Sequence, residues 1–587
     1  MLKLLKNLDK KDWIYAFICA VLVVVQVWLE LKMPDYMSNI TQLVQTRGAS
    51  MSDILREGGY MLICALGSLV SAIIVGYFAA NIAASFSKKT RRQLFIKVEK
   101  LGMEEIKKFS VSSLITRTTN DIGQIQMLIS MGLQLMIKAP ITAVWAVTKI
   151  LGKSIEWSTI TAVAVLILLL TIGVLMIVVM PKFKIVQGLI DKINSVTREN
   201  LTGIRVVRAF NAEDYQEQKF EEVNNKLTNQ QLFNQKAFNV MSPVMNLVMH
   251  GLTLAIYFIG AILIKEALLS EKIVLFGDMI VFSSYAMQVI ISFLMLAMIF
   301  MMLPRASVSA KRINEVLNTQ ISIKDGHLTT NIKDINGTVE FKNVSFKYPD
   351  ADEYILKDIT FKANTGDTVA FIGSTGSGKS TLINLIPRFY DVTEGEILIN
   401  GVNVKDYSEE YLNNIVGYVP QKAVMFSGTI ESNIAYGSST YGKPNNKKIE
   451  DSLKVSQAYE FVSKLDKKEK SHIAQGGTNV SGGQKQRLSI ARTIARNPEI
   501  YIFDDSFSAL DYKTDSELRK ELKKYTKNAT SLIVAQRIGT IMHADKIIVL
   551  DKGKCVGIGT HKELMKKCKI YKEIALSQVS KEELDNE

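Results

Sequence analysis

Residues 373–381, GSTGSGKST, have the types and order that hold a polyphosphate. Without a Cβ, Gly373, Gly376 and Gly378 let backbone N–H groups, together with those of Ser374, Thr375 and Ser377, wrap a phosphate closely. An apolar run, TVAFIG, precedes the loop and a helical run, TLINLI, follows it. That strand–loop–helix context is what such a loop requires, and the helix N-terminus adds partial positive charge. Lys379 is placed for the β- and γ-phosphates of ATP, and Ser380, beside Thr381, for Mg²⁺. A second apolar run, YIFDD at 501–505, ends in two acids, of which Asp504 is placed to hold Mg²⁺ directly or through water.

These motifs need a sheet to carry them. VEFKNVSFKY (339–348) alternates as a strand does, and strands and helices of α/β type follow it. From about residue 319 onward, apolar residues come in short clusters between Lys, Asp, Glu and Asn. The first half differs, with six apolar stretches at 13–33, 54–86, 127–150, 157–179, 238–264 and 273–303. A helix needs about 20 mostly apolar residues to cross a bilayer, so six spans are expected. The connections 34–53, 151–156 and 265–272 are short and poor in cations. By contrast, 87–126 and 181–237 are long and rich in Lys and Arg. The positive-inside rule then puts the long connections and both termini in the cytoplasm. Few Gly or Pro and three- to four-residue apolar spacing predict that the spans continue into the cytoplasm as helices.

The division expected is therefore a six-helix transmembrane domain over 1–318, a linker over 319–337, an α/β P-loop domain over 338–578 and a charged tail over 579–587. The formal charge of +14 falls largely on cytoplasmic flanks of spans, and with six spans a nucleic-acid role is excluded. Four cysteines, two in spans and two near the C-terminus, show no metal or disulfide spacing. No small-residue cleavage site follows the first apolar run, which reads as a retained span and not a signal peptide.

At NVSGGQKQRLSIAR (479–492) the sequence resembles the ABC ATPase family. Its core, Ser481, Gly482, Gly483 and Gln484, starts a helix and presents backbone donors to a phosphate. In that family the phosphate belongs to ATP held by the other subunit's P-loop, so the resemblance implies a dimer. It also implies that Tyr348 stacks on adenine, that Gln421 in VPQ senses Mg²⁺, and that SALD (508–511) is the D-loop. SSLITRTTND (112–121) and TGIRVVRAFNAED (202–214) look like inner-loop segments of ABC exporters, with short helices that couple to the ATPase domains. The likeness spans nearly the whole chain, in the order membrane domain then ATPase.

Two positions depart from the family pattern. Asp505 stands where a catalytic Glu is usual, and Gln536, in AQR, stands where a switch His is usual. A carboxylate one methylene short withdraws by about 1 Å from the attacking water. Gln can hydrogen-bond but cannot become cationic. The pattern resembles the degenerate-site subunit of heterodimeric bacterial multidrug ABC exporters, whose partner supplies the catalytic Glu and His. The implied activity is ATP-driven translocation of amphiphilic drugs, lipids or peptides across the cytoplasmic membrane. An ATP-gated channel and an importer of the same architecture are the alternatives. Glu30, Asn81, Gln134, Lys138, Asn246, His250 and Gln288 lie in the spans and either line a cavity or bond helix to helix.

Overall fold

The computed structural model describes residue 4 and residues 6–46, 50–151, 155–331, 336–437 and 442–578. The tail at 579–587, half of the connection at 151–156 and part of the linker at 319–337 lie outside the described residues. The chain forms two compact units: residues Met1–Glu99 with Val111–Thr319, and Lys100–Ser110 with Gln320–Glu587.

The first unit is helical. Its elements are α1 (Lys10–Gln45), α2 (Met51–Glu99) and, after α3 (Met103–Phe109, which belongs to the second unit), α4 (Val111–Thr118). Then come α5 (Asn120–Leu151), α6 (Ile155–Thr202), α7 (Ile204–Ala209), α8 (Glu213–Glu266) and α9 (Leu269–Asn318). Among the described residues, six helical stretches are long and apolar enough to cross a membrane. At about 1.5 Å per residue, the 54 residues of α8 far exceed the roughly 30 Å of a hydrocarbon core. Much of each long helix therefore lies beyond lipid, as its polar half requires. One expected boundary moves: the connection expected from 34 is helical as far as Gln45, through Pro34. Neighbouring helices let a spanning helix tolerate proline.

Polar residues in the spans pair with one another. Glu30 Oε1 accepts from Lys138 Nζ at 2.8 Å, Gln26 Nε2 at 2.9 Å and Ser68 Oγ at 3.1 Å. Asp35 accepts from Lys149 at 2.8 Å and from the buried Tyr285 hydroxyl at 2.6 Å. Helix-to-helix bonding is thus the role the structure gives Glu30 and Lys138. Asn81 bonds within its own helix, to the Tyr77 carbonyl at 2.9 Å. Asn246 and His250 are exposed, and Gln134 and Gln288 are partly buried.

The second unit contains β1 (Val339–Phe346), β2 (Leu356–Ala363), β3 (Thr368–Gly373), α10 (Lys379–Asn384), β4 (Glu394–Ile399), β5 (Val402–Asn403) and β6 (Val416–Val419). Later come β7 (Gly428–Thr429), β8 (His472–Ile473), β9 (Ile500–Asp504), β10 (Thr530–Val534), β11 (Lys546–Asp551) and β12 (Lys554–Gly559). An antiparallel sheet has the order β2-β1-β4-β5, and a six-stranded sheet the order β12-β11-β3-β10-β9-β6. In the larger sheet all neighbours are parallel except the edge pair β11–β12. Strands β9 and β10 are buried along their whole length, as continuous apolar runs covered on both faces should be. Helix α3 packs in this unit through the buried Leu101 before it and through Glu105, whose carboxylate accepts the Ser322 N–H at 2.9 Å.

Candidate functional site

Neighbouring parallel strands send their C-terminal ends to the same edge of a sheet, where ligands of such sheets bind. Here β3 leads into 373–381, β6 into Gln421, β9 into Asp504 and Asp505, and β10 into Gln536. Residues far apart in sequence meet because β3, β10, β9 and β6 are adjacent.

In the loop, a Cβ at Gly373 would run into the Leu550 carbonyl oxygen. Gly378, at φ +96°, enters α10 in a left-handed conformation that suits glycine. Lys379 Nζ donates to the carbonyls of Gly373 and Ser374 at 2.8 Å and to Ser377 Oγ at 3.3 Å. Burial pushes the Lys379 ammonium below its ordinary value, and Asp505 and Asp504 oppose that. A phosphate bound in the loop would supply the counter-charge that burial withholds.

Ser380 Oγ donates to Asp504 Oδ1 at 2.8 Å. The Tyr418 hydroxyl lies 3.3 Å from Asp504 Oδ2 and 3.0 Å from Asn384 Oδ1. Burial raises the Asp504 carboxyl and Asp505 adds to the rise, while Ser380, Tyr418 and Lys379 pull it back. A raised buried carboxylate beside a serine hydroxyl is a hard-oxygen donor pair that suits Mg²⁺, which keeps waters and phosphate oxygens as its other ligands. Among the described residues, no group of three or more His, Cys, Asp or Glu is placed to hold a metal ion.

Asp505 turns the chain at φ +46°. Its Oδ2 accepts from Gln536 Nε2 at 2.8 Å and Gln421 Nε2 at 3.3 Å. Gln421 thus directs its amide nitrogen to Asp505, whereas Asp504 is held by Ser380 and Tyr418. Tyr348 is half-buried and its hydroxyl lies 3.2 Å from Thr381 Oγ1, so the tyrosine touches the end of the loop.

Ser481 is the N-cap of the helix Gly482–Arg496. Its Oγ accepts the Gln484 N–H at 3.3 Å, and its own N–H donates to Gln484 Oε1 at 2.9 Å. Ser481 and Gly482 are exposed. Among the described residues, no hydrogen bond joins 481–484 to 373–381, so one chain leaves these two candidate phosphate-binding elements unbonded to each other. Sequence reasoning missed Tyr418, although an aromatic three residues before Gln421 in VGYVPQ was a usable signal.

Comparison with known proteins agrees with this geometry. A model described as the ABC transporter transmembrane region matches residues 16–311, and one described as ABC transporter matches residues 356–508. An ABC transporter ATP-binding protein of Mycobacterium tuberculosis, Rv1273c, is 36% identical over 554 residues, covering 92% of this chain and 93% of its own. The chain belongs to the ABC transporter family. YfiB of Bacillus subtilis, another ABC transporter ATP-binding protein, is 35% identical over 516 residues and covers 88% of each chain. YgaD of the same species, named for multidrug export, is 32% identical over 508 residues and covers 83% of each. The solved structure of a bacterial Atm1-family ABC exporter with ATP bound superposes with a TM-score of 0.79 at 22% identity. It covers 96% of this chain and 98% of that one. This ABC transporter thus has the exporter fold, with a multi-pass membrane domain fused to an ATP-binding domain.

Proposed function

We propose that the chain is one half of an asymmetric, ATP-driven exporter of amphiphilic compounds, and that its own P-loop site binds Mg·ATP but hydrolyses it slowly. The observation that carries this reading is the pair of carboxamides, Gln421 and Gln536, that both donate to Asp505 Oδ2. The shorter carboxylate is held by neutral donors, and no group at position 536 can become cationic as the reaction proceeds.

Each residue then has a role. Lys379 and the backbone of 373–378 bind the β- and γ-phosphates, and Tyr348 stacks on the base. Ser380 and Asp504, with Gln421 nearby, hold Mg²⁺, which when bound neutralises phosphate charge. Ser481, Gly482, Gly483 and Gln484 complete the site of a second, non-identical half-transporter, whose P-loop carries a catalytic Glu and His. ATP sandwiched between P-loop and signature closes the ATPase domains, and closure turns the membrane cavity outward. Hydrolysis at the partner's site resets it. The ATPase domain and both termini are cytoplasmic, in agreement with the cation-rich long connections. The name of YgaD, a multidrug export protein, supports an amphiphilic cargo.

The test is transport by the paired complex in inside-out vesicles. Mg·ATP should drive a fluorescent amphiphile into the lumen against its gradient. Equilibration of the amphiphile on nucleotide binding, without accumulation, would reject the exporter in favour of a gated pore.

A further inference from the structure

Lys107 lies on α3, the short helix that packs in the second unit, and its Nζ sits 4.8 Å from the Tyr348 ring centroid and 5.5 Å from that of Tyr390. The two rings form a fixed corner. Tyr348 is edge-on to Tyr390 at 5.3 Å and 88°, and edge-on to Phe346 at 5.0 Å and 80°. The Tyr348 hydroxyl reaches Thr381 at the end of the phosphate loop, so the platform cannot turn without losing that contact. The helix that brings Lys107 is anchored by Glu105 on the Ser322 N–H at 2.9 Å.

We infer that Lys107 is a specificity-determining residue for the base of the bound nucleotide. It walls the base pocket and donates an N–H to an acceptor on a purine ring stacked against Tyr348. The inference rests on the reading of Tyr348 as the base platform. Its physical basis is the short reach involved. A stacked base lies about 3.5 Å from the tyrosine ring, within the shell that the ammonium already occupies over an aromatic face. Purines carry ring-nitrogen acceptors at their edges, to which a lysine ammonium can donate. The Tyr390 hydroxyl further holds the ammonium in its charged form, above its ordinary value. Lys107 follows α2 by only a few residues in the chain, so the segment that reads the base is continuous with a membrane helix.

The experiment measures equilibrium binding of ATP and of inorganic tripolyphosphate, which has no base, to the full-length chain in lipid nanodiscs. The unmodified chain is compared with Lys107→Met, Lys107→Arg and Tyr348→Ala. Lys107→Met should weaken ATP roughly threefold to tenfold, the range of one charged hydrogen bond discounted for water. Tripolyphosphate affinity should not change, and Lys107→Arg should stay within about twofold of the unmodified chain. Unchanged or tighter ATP binding in Lys107→Met would overturn the inference, as would an equal loss for tripolyphosphate, which would reduce Lys107 to a diffuse positive charge. Tyr348→Ala separates the two claims. If it leaves ATP binding intact, the base platform itself is wrong. If it weakens ATP while Lys107→Met does not, only the role of Lys107 fails.

Discussion

Restoring a glutamate at Asp505 is the most informative perturbation, because the surroundings of that carboxylate set how much it can recover. The aspartate is one methylene short, and a misplacement of about 1 Å can cost ~10²-fold in rate. At 1.36 kcal/mol per decade that is roughly 2.7 kcal/mol of transition-state stabilisation. Lengthening the side chain alone leaves Gln536, which donates to Oδ2 at 2.8 Å, free to draw the new carboxylate sideways. Asp505→Glu should therefore regain only about tenfold, and Asp505→Glu with Gln536→His roughly 10²-fold. The assay is phosphate release at saturating Mg·ATP by the paired complex in nanodiscs, with the partner's catalytic Glu replaced by Gln so that only this chain's site is read, and with ATP affinity measured in parallel. Full recovery in the single variant would show that Gln536 is irrelevant. No gain in the double variant, with ATP still bound, would refute the assignment of slow hydrolysis to these two positions.

The raised Asp504 carboxyl makes nucleotide-free stability depend on pH. Its folded value lies above the ordinary 3.8, so the stability it contributes is complete below 3.8 and is lost as pH rises through the raised value. Asp504→Asn should remove that loss and flatten the melting temperature against pH in the absence of Mg²⁺. Lys138→Met should destabilise the membrane unit by leaving Glu30 unpaired, and adding Glu30→Gln should recover most of the loss, as read by thermal unfolding in detergent. Ser481→Ala removes a helix N-cap at a cost of about 1 kcal/mol, yet in the paired complex it should abolish most hydrolysis at the partner's site while leaving ATP binding to this chain unchanged.

The sequence was most readable where function is local. The loop at 373–381 sits between its own strand and helix, and Ser481 caps the helix that its own motif begins, so a few consecutive residues carry each signal. The six spans were equally plain, because apolar length is a property of the chain itself. What escaped depends on pairing across distance. The meeting of Gln421, Asp505 and Gln536 requires β6, β9 and β10 to be neighbours, and strand order is not written in any of those segments. The grip of Lys149 and Tyr285 on Asp35 escaped because residue 35 was expected in a connection, while α1 continues through Pro34. Lys107 lay in a long basic connection where one cation among many gives no signal, and only the packing of α3 sets it over Tyr348.

The central claim, that this half-transporter depends on a partner for rapid turnover, is tested most directly by steady-state ATP hydrolysis. The rate would be measured for the chain alone and after co-purification with a candidate non-identical ABC half-transporter. The account predicts bound ATP with negligible turnover alone and strong turnover in the pair. Rapid hydrolysis by the chain alone would mean that Asp505 and Gln536 suffice for catalysis, and would contradict the asymmetric mechanism.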